Sequence, residues 1–218
     1  MELSSFLENI KQEGIVAGFV PRIASVAGSL DKDAALDALR DEHESALNEA
    51  GFSWDQLYRA EQVHGNQLAI VPDGGAARLL PEVDGLLTAE PNVVLGIYVA
   101  DCGLIWLVDS KTGALGLLHS GKKGTEGNIL GEAVKKMERA FGTCPADLVG
   151  VLGPCIRPPH YEMDFAAAIR KQAREAGIGS FEDCGLCTGS DLETYYSYRM
   201  EKGKTGRMLG FIGRKTSP

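Results

Sequence analysis

Three side chains of types that hold metals or move protons stand near the ends of strand-like runs: His64 in "EQVHGNQ", Cys102 in "VADCG" and His119 in "LLHSGKKGT". One thiolate and two imidazoles form a three-donor set. Catalytic zinc usually takes three protein ligands and leaves its fourth position to water or substrate. Without a metal, Cys102 and His119 could instead serve as nucleophile and base. Asp101 adjoins Cys102, and strand geometry points it the opposite way, so it is a candidate general base or positioning partner. Gln62 is a candidate for orienting the pair or touching substrate. After His119 comes Gly121-Lys122-Lys123-Gly124-Thr125. A nucleotide P-loop needs G-x-x-x-x-G-K-[ST], and the upstream glycine is missing, so this is not one. Lys122 and Lys123, with a helix predicted to start near Gly127 or Asn128, still favour an anion. Arg199 in "SYR" is a candidate second anion or ribose contact. Cys184 and Cys187 form a C-x-x-C without a βαβ context or a second such pair, and read as two reduced thiols in a loop. Cys144 and Cys155 read as structural.

The elements that position these groups follow from pattern. "LIWLVD" at 104–109 and "ALGLLH" at 114–119 flank the turn residues Ser110-Lys111-Thr112-Gly113, which predicts a β-hairpin. With the turn centred near Lys111, Cys102 faces His119 or its immediate neighbour, and opposed Cβ atoms lie about 4.5–5.5 Å apart. His64 lies at a loop-to-strand junction before "QLAIV" at 67–71, which ends in Pro72-Asp73-Gly74-Gly75. "VVLGIYVA" at 93–100 and "LVGVLG" at 148–153 read as buried strands. Three helices are predicted. In "DKDAALDALRDEHESALNEAG" a stripe of Leu36, Leu39, His43 and Leu47 makes His43 a core residue rather than a ligand, with Asp31 or Asp33 as cap and Gly51 as terminator. The helix over 127–142 buries Ile129, Leu130, Val134, Met137 and Phe141, and "AAIRKQAREAGIG" is the third. "ETYYSYRMEKGKTGRMLGFIGRK" reads as two strands around Lys202-Gly203-Lys204. Strands and helices mix without regular alternation, so the class is α+β: a single domain over 1–218, with a mixed β-sheet flanked by helices.

Composition bounds the function. The chain has 218 residues, 44% hydrophobic, enough for one substantial core. A net charge of −8 argues against a nucleic-acid partner. No window approaches 18 consecutive apolar residues, so no membrane span is expected. "MELSSFLENIKQEG" lacks the apolar stretch of a secretory leader. Five cysteines, an odd number, fit a reducing compartment, and a cytoplasmic location is expected.

"QVHGN" at 62–66, "DGLLT" at 84–88, "LGIYVADC" at 95–102, "HSGKKGT" at 119–125, "GPCI" and "HYE" within 153–162, and "YYSYRMEKGKTGRM" at 195–208 together resemble the YfiH/YlmD family, also called the multicopper polyphenol oxidase or laccase-domain family. The order and approximate spacing agree over residues 62–208. The resemblance implies a YfiH-like fold, similar to the Cys-His deamidase toxins, and a zinc site of His64, Cys102 and His119. It implies purine nucleoside chemistry: phosphorolysis of adenosine, inosine or methylthioadenosine, with adenosine deamination, so that the partners are a nucleoside and phosphate. It also admits a Cys-His hydrolase acting on peptidoglycan precursors, or a non-catalytic metal-binding protein. The family loop reads HAGWRGT; here Lys122-Lys123 replace its Trp-Arg, the proline of ADCxPV is absent, and "GSLDKD" at 28–33 with Glu42-His43 is the nearest match to its N-terminal motif. Four-copper chemistry needs many imidazoles, and the chain has four histidines in total, so a laccase mechanism is not expected and copper fits less well than zinc.

Overall fold

Alternation along the central strands divides the protein into layers. A computed structural model describes residues 3–10, 12–24, 32–72, 74 and 77–215. Its strands are β1 (Ile15–Val20), β2 (Leu57–Ala60), β3 (Leu68–Ile70), β4 (Leu79–Leu80), β5 (Gly85–Thr88), β6 (Val94–Val99), β7 (Gly103–Asp109), β8 (Leu115–Ser120), β9 (Leu148–Leu152), β10 (Ser180–Asp183) and β11 (Met208–Arg214). The helices are α1 (Leu3–Leu7), α2 (Lys32–Glu49), α3 (Lys122–Glu126), α4 (Ile129–Phe141) and α5 (Phe165–Glu175). One sheet has the order β1-β11-β6-β2-β4 and the other β10-β9-β7-β8-β5-β3. Both mix parallel and antiparallel pairs.

On β7, Leu104, Trp106 and Val108 pack between the sheets with Leu95, Ile97 and Val99 of β6. The intervening Ile105 and Leu107 join the outer cluster formed with α4 and α5. Beyond the first sheet, Val94, Tyr98 and Leu209 pack with Leu47 of α2. The layers therefore run α2, sheet, sheet, α4 with α5. Strands covered on both faces need apolar residues at every position, which is why β6 and β7 are continuous apolar runs. Trp106 Nε1 donates to the Phe211 carbonyl at 3.1 Å and ties the sheets together.

The α+β class holds, with two sheets in place of the one expected. β6 pairs with β11 and β2, whereas β7 pairs with β8 and β9, so the chain changes sheet between Val99 and Gly103. The β7–β8 hairpin forms, in a different register. Leu104 lies opposite His119 and Gly103 opposite Ser120. The turn centres between Lys111 and Thr112, because Asp109 Oδ1 accepts both of their N–H groups at 2.8 and 3.0 Å and Gly113 takes φ +70°. Continued one step, this register sets Cys102 opposite Gly121, not His119 or Ser120.

Other boundaries also move. A helix does start at Ile129, capped by the Asn128 side chain, but Lys122 and Lys123 belong to α3, which begins directly after Gly121. Only 208–214 of the C-terminal region is strand. Residues 198–203 form turns, pinned by Glu201, whose carboxylate accepts the Ser197 N–H and pairs with Arg22; Arg199 is therefore in a turn. Asp33 lies inside the first turn of α2 rather than capping it, and Asp31, Asp73, Gly75 and residues 28–30 fall outside the described residues. Ala35, not Leu36, completes the buried stripe with Leu39, His43 and Leu47. Phe141 is half-buried, and Cys144 is exposed while Cys155 is buried. Among the described residues no helix is long and apolar enough to cross a membrane.

Candidate active site

His119 occupies the next-to-last position of β8, on the face whose Leu115 and Leu117 pack between the sheets. The β5–β8 ladder pairs Gly85 with Leu118. One step further, Asp84 meets His119: the His119 N–H donates to the Asp84 carbonyl at 2.7 Å, and Asp84 Oδ1 lies 2.7 Å from His119 Nδ1. Asp84 is fully buried, and its carboxylate also accepts the N–H groups of Val63 (3.2 Å), His64 (2.9 Å) and Gly65 (2.7 Å). One carboxylate thus orients one histidine and holds the loop that carries the other. Gln62 and His64 adopt φ of +59° and +62°. The Gln62 amide is spent on Tyr98, accepting its N–H at 3.0 Å and donating to its carbonyl at 2.6 Å.

Cys102 follows the sheet change, where Asp101 takes φ +87°. Such backbone costs on the order of 1–3 kcal/mol and persists when its surroundings over-determine it. Here they do. Asp101 Oδ1 accepts the Thr188 hydroxyl at 2.6 Å, Oδ2 accepts the Arg199 N–H at 2.7 Å, and the Asp101 carbonyl accepts the Ile156 N–H at 2.8 Å. Asp101 therefore clamps three segments around the thiol.

The three predicted donors come together. One ligand atom from each of His64, Cys102 and His119 lies within 4.8 Å of the other two. The two imidazoles stand edge to face, 4.9 Å between centroids. Burial on its own would raise the Cys102 pKa. The charge and hydrogen bond of His119, then those of His64, outweigh it and bring the thiol down to about 6. Burial would lower the His119 pKa, but the Cys102 charge and the Asp84 hydrogen bond raise it to about 9. Burial opposes ionisation of Asp84; His119 and the loop N–H groups prevail and hold it below the usual carboxylate value. An ionised Asp84 accepts from Nδ1–H, so the neutral form of His119 keeps its proton on Nδ1 and turns Nε2 to the site.

The donors open onto a cavity of about 600 Å³. Its walls include Tyr98, Tyr161, Phe165 and Tyr198 with Lys122, Arg199 and Arg207. Lys123 is exposed and outside this lining. Arg199 ion-pairs with Glu162 and lies 4.5 Å over the Tyr161 ring. The C-x-x-C contributes nothing to the cavity: Cys184 is buried, and Cys187 Sγ is 3.6 Å from His160 Nδ1 elsewhere. Sequence reasoning missed Asp84, Arg207 and the aromatic walls. Asp84 opens the quoted "DGLLT", so its neighbourhood was flagged without its role.

The sequence pattern of the family described as multi-copper polyphenol oxidoreductase laccase matches residues 12–164 and 160–215. The chain belongs to that family. A Bacillus subtilis (strain 168) relative named purine nucleoside phosphorylase YlmD is 30% identical over 223 residues, covering 85% of this chain and 79% of that protein. The crystal structure of YlmD from Geobacillus stearothermophilus superposes with a TM-score of 0.81 at 26% identity over 93% of each chain. YfiH from Bacillus licheniformis superposes with a TM-score of 0.82 at 24% identity, covering 92% of this chain and 93% of that one. The YfiH/YlmD resemblance is thus borne out in sequence and fold. The donor set does not fit the several coppers in the family's description: His43 sits inside α2 and His160 beside Cys187, leaving two histidines at the site. It fits one metal ion. Among the described residues no methionine lines the cavity to supply the weak axial ligand of a blue-copper centre.

Proposed function

We propose that the protein is a purine nucleoside phosphorylase that uses one zinc ion, held by His64, Cys102 and His119, to cleave adenosine, inosine or methylthioadenosine with phosphate, and that also deaminates adenosine. One observation carries this: two nitrogens and a sulfur converge on one wall of a cavity whose other walls are aromatic and cationic. The name of the Bacillus subtilis relative supports the choice of reaction. When bound, the zinc would act as a Lewis acid toward a substrate oxygen. The remaining roles belong to the chain. Asp84 fixes the His119 tautomer and the position of His64. Tyr161 and Phe165, stacked with ring centroids 5.1 Å apart, supply an aromatic wall for a purine. Lys122 supplies positive charge toward phosphate. Asp101 acts through the segments it holds, since both carboxylate oxygens are already engaged.

The test is incubation of zinc-loaded protein with inosine and phosphate, following hypoxanthine and ribose 1-phosphate by chromatography, beside adenosine in phosphate-free buffer, following inosine. We expect about one zinc per chain, lost in Cys102→Ala and His64→Ala together with turnover. Zinc without product from any nucleoside would overturn the enzyme reading and leave a metal-binding protein. A second reading has its own support: the low thiol pKa beside a cationic imidazole describes a cysteine hydrolase pair, with a peptidoglycan-precursor amide as substrate. Alkylation of Cys102 that abolishes activity in zinc-stripped protein would favour that reading.

A further inference from the structure

The cationic side chains of the cavity are held in different ways. Lys122 and Lys202 are exposed, and Lys32, also exposed, places Nζ 3.4 Å from the Glu61 carbonyl. The charge of Arg199 is compensated by Glu162. Arg207 is half-buried and has no ion-pair partner among the described residues. Its Nη1 donates to the carbonyls of Thr205 (2.8 Å) and Gly206 (2.9 Å). That anchors the guanidinium plane, and no protein acceptor among the described residues takes Nε or Nη2. Burial lowers its pKa, while the charges of Tyr198, Cys102 and Asp101 oppose the fall, which places it in the electrostatic reach of the site. A part-buried cation with no carboxylate in contact leaves charge and N–H groups for an anion to complete. A planar fork with free N–H groups matches the oxygens of a phosphate better than a lysine does.

The geometry assigns Arg207 as the anion-binding residue of this cavity, and the anion as inorganic phosphate. The assignment rests on the phosphorolysis proposed above and names the residue that seats the co-substrate. In that reaction a phosphate oxygen bonds to ribose C1′ as the C1′–N9 bond breaks. The bond's electron pair leaves with the purine, which takes up a proton, and ribose 1-phosphate remains. Arg207 holds the attacking dianion against the donor wall and undergoes no chemistry itself.

The experiment compares wild-type protein with Arg207→Gln and Arg207→Lys in two readouts: KM for phosphate and for inosine, and direct calorimetric titration with inorganic phosphate alone. Losing a charge-assisted contact is expected to raise the phosphate KM and Kd about ten- to a hundredfold in Arg207→Gln, with the inosine KM within about twofold. Arg207→Lys, which keeps charge but not the fork, is expected to fall between, and it serves as the decisive variant if Arg207→Gln does not fold. Unchanged phosphate KM and Kd in the folded variants overturn the assignment, as does an inosine KM that rises equally. If wild-type protein cleaves no nucleoside, phosphorolysis fails on its own. The titration then still decides: phosphate binding lost in the variants supports the anion site, and wild-type protein that binds no phosphate overturns it.

Discussion

Asp84 links the two histidines of the site. Its carboxylate takes the His119 Nδ1–H and three loop N–H groups while fully buried, a number of bonds that suits an ion and leaves little capacity unfilled. Asp84→Asn removes the charge and substitutes a donor for one acceptor. Partners of metal-ligating histidines typically carry 10–100-fold in metal affinity. We expect a loss of about that size in a chelator competition, with the circular dichroism spectrum unchanged. A loss under threefold would mean that His119 keeps its orientation without Asp84.

At the scale of elements, two glycines let the backbone at the start of α3 approach the His64 loop and Cys102. A Cβ added at Gly124 would lie 2.7 Å from the Gly65 carbonyl oxygen, and one at Gly121 3.1 Å from Cys102 Sγ. The two glycines of "GKKG" are therefore spacing devices between a helix and two ligands. Gly124→Ala is expected to displace the His64 loop and weaken zinc binding about tenfold, while the melting temperature falls by only a few degrees; an unchanged zinc affinity would contradict this account. On α2, His43 is buried beside Tyr98, and neither ring nitrogen has a hydrogen-bond partner among the described residues. Burial lowers its pKa from 6.5 to about 4. Between those values the unfolded chain binds the proton and the folded chain does not, so stability rises with pH. At 1.36 kcal/mol per pKa unit, the contribution lost below pH 4 is roughly 3 kcal/mol. His43→Leu is expected to flatten the stability profile between about pH 6.5 and 4 in urea titrations, and to cost little at pH 7.

For the whole molecule, the sheet-to-sheet contact keeps the site together, because His119 stands on one sheet and Tyr98 on the other. Trp106 fills that contact, fully buried, with its indole N–H on the Phe211 carbonyl of the opposite sheet. Phe/Trp-to-Ala changes in cores cost about 3–5 kcal/mol. Trp106→Ala is expected to lower the melting temperature by roughly 10 °C, read by thermal denaturation; an unchanged melting temperature would show that the sheet-to-sheet contact does not depend on this side chain.

Residue type and local pattern determined much of this protein. The hairpin, the α4 and α5 helices and the core place of His43 depend on neighbours within a turn or a strand, and such interactions are written in the sequence; the donor trio, spread over 64–119, was named by residue type and family resemblance. The hairpin register was misjudged because the Asp109 carboxylate and the positive φ of Gly113 set the turn centre, and a shift of half a residue moves the facing partner by one. The Asp84–His119 pair was invisible for a different reason. Strands β5 and β8 are separated by two other strands in the chain, and their pairing is decided by packing against β7 and the helices. The same holds for Arg207, whose importance comes from having no ion-pair partner among the described residues, in a cavity that exists only once two sheets, α3 and the 198–203 turns come together. Types and spacings could nominate the chemistry; which groups share a charge, a proton or a wall was left to the folded arrangement, since burial and long-range pairing set those energies.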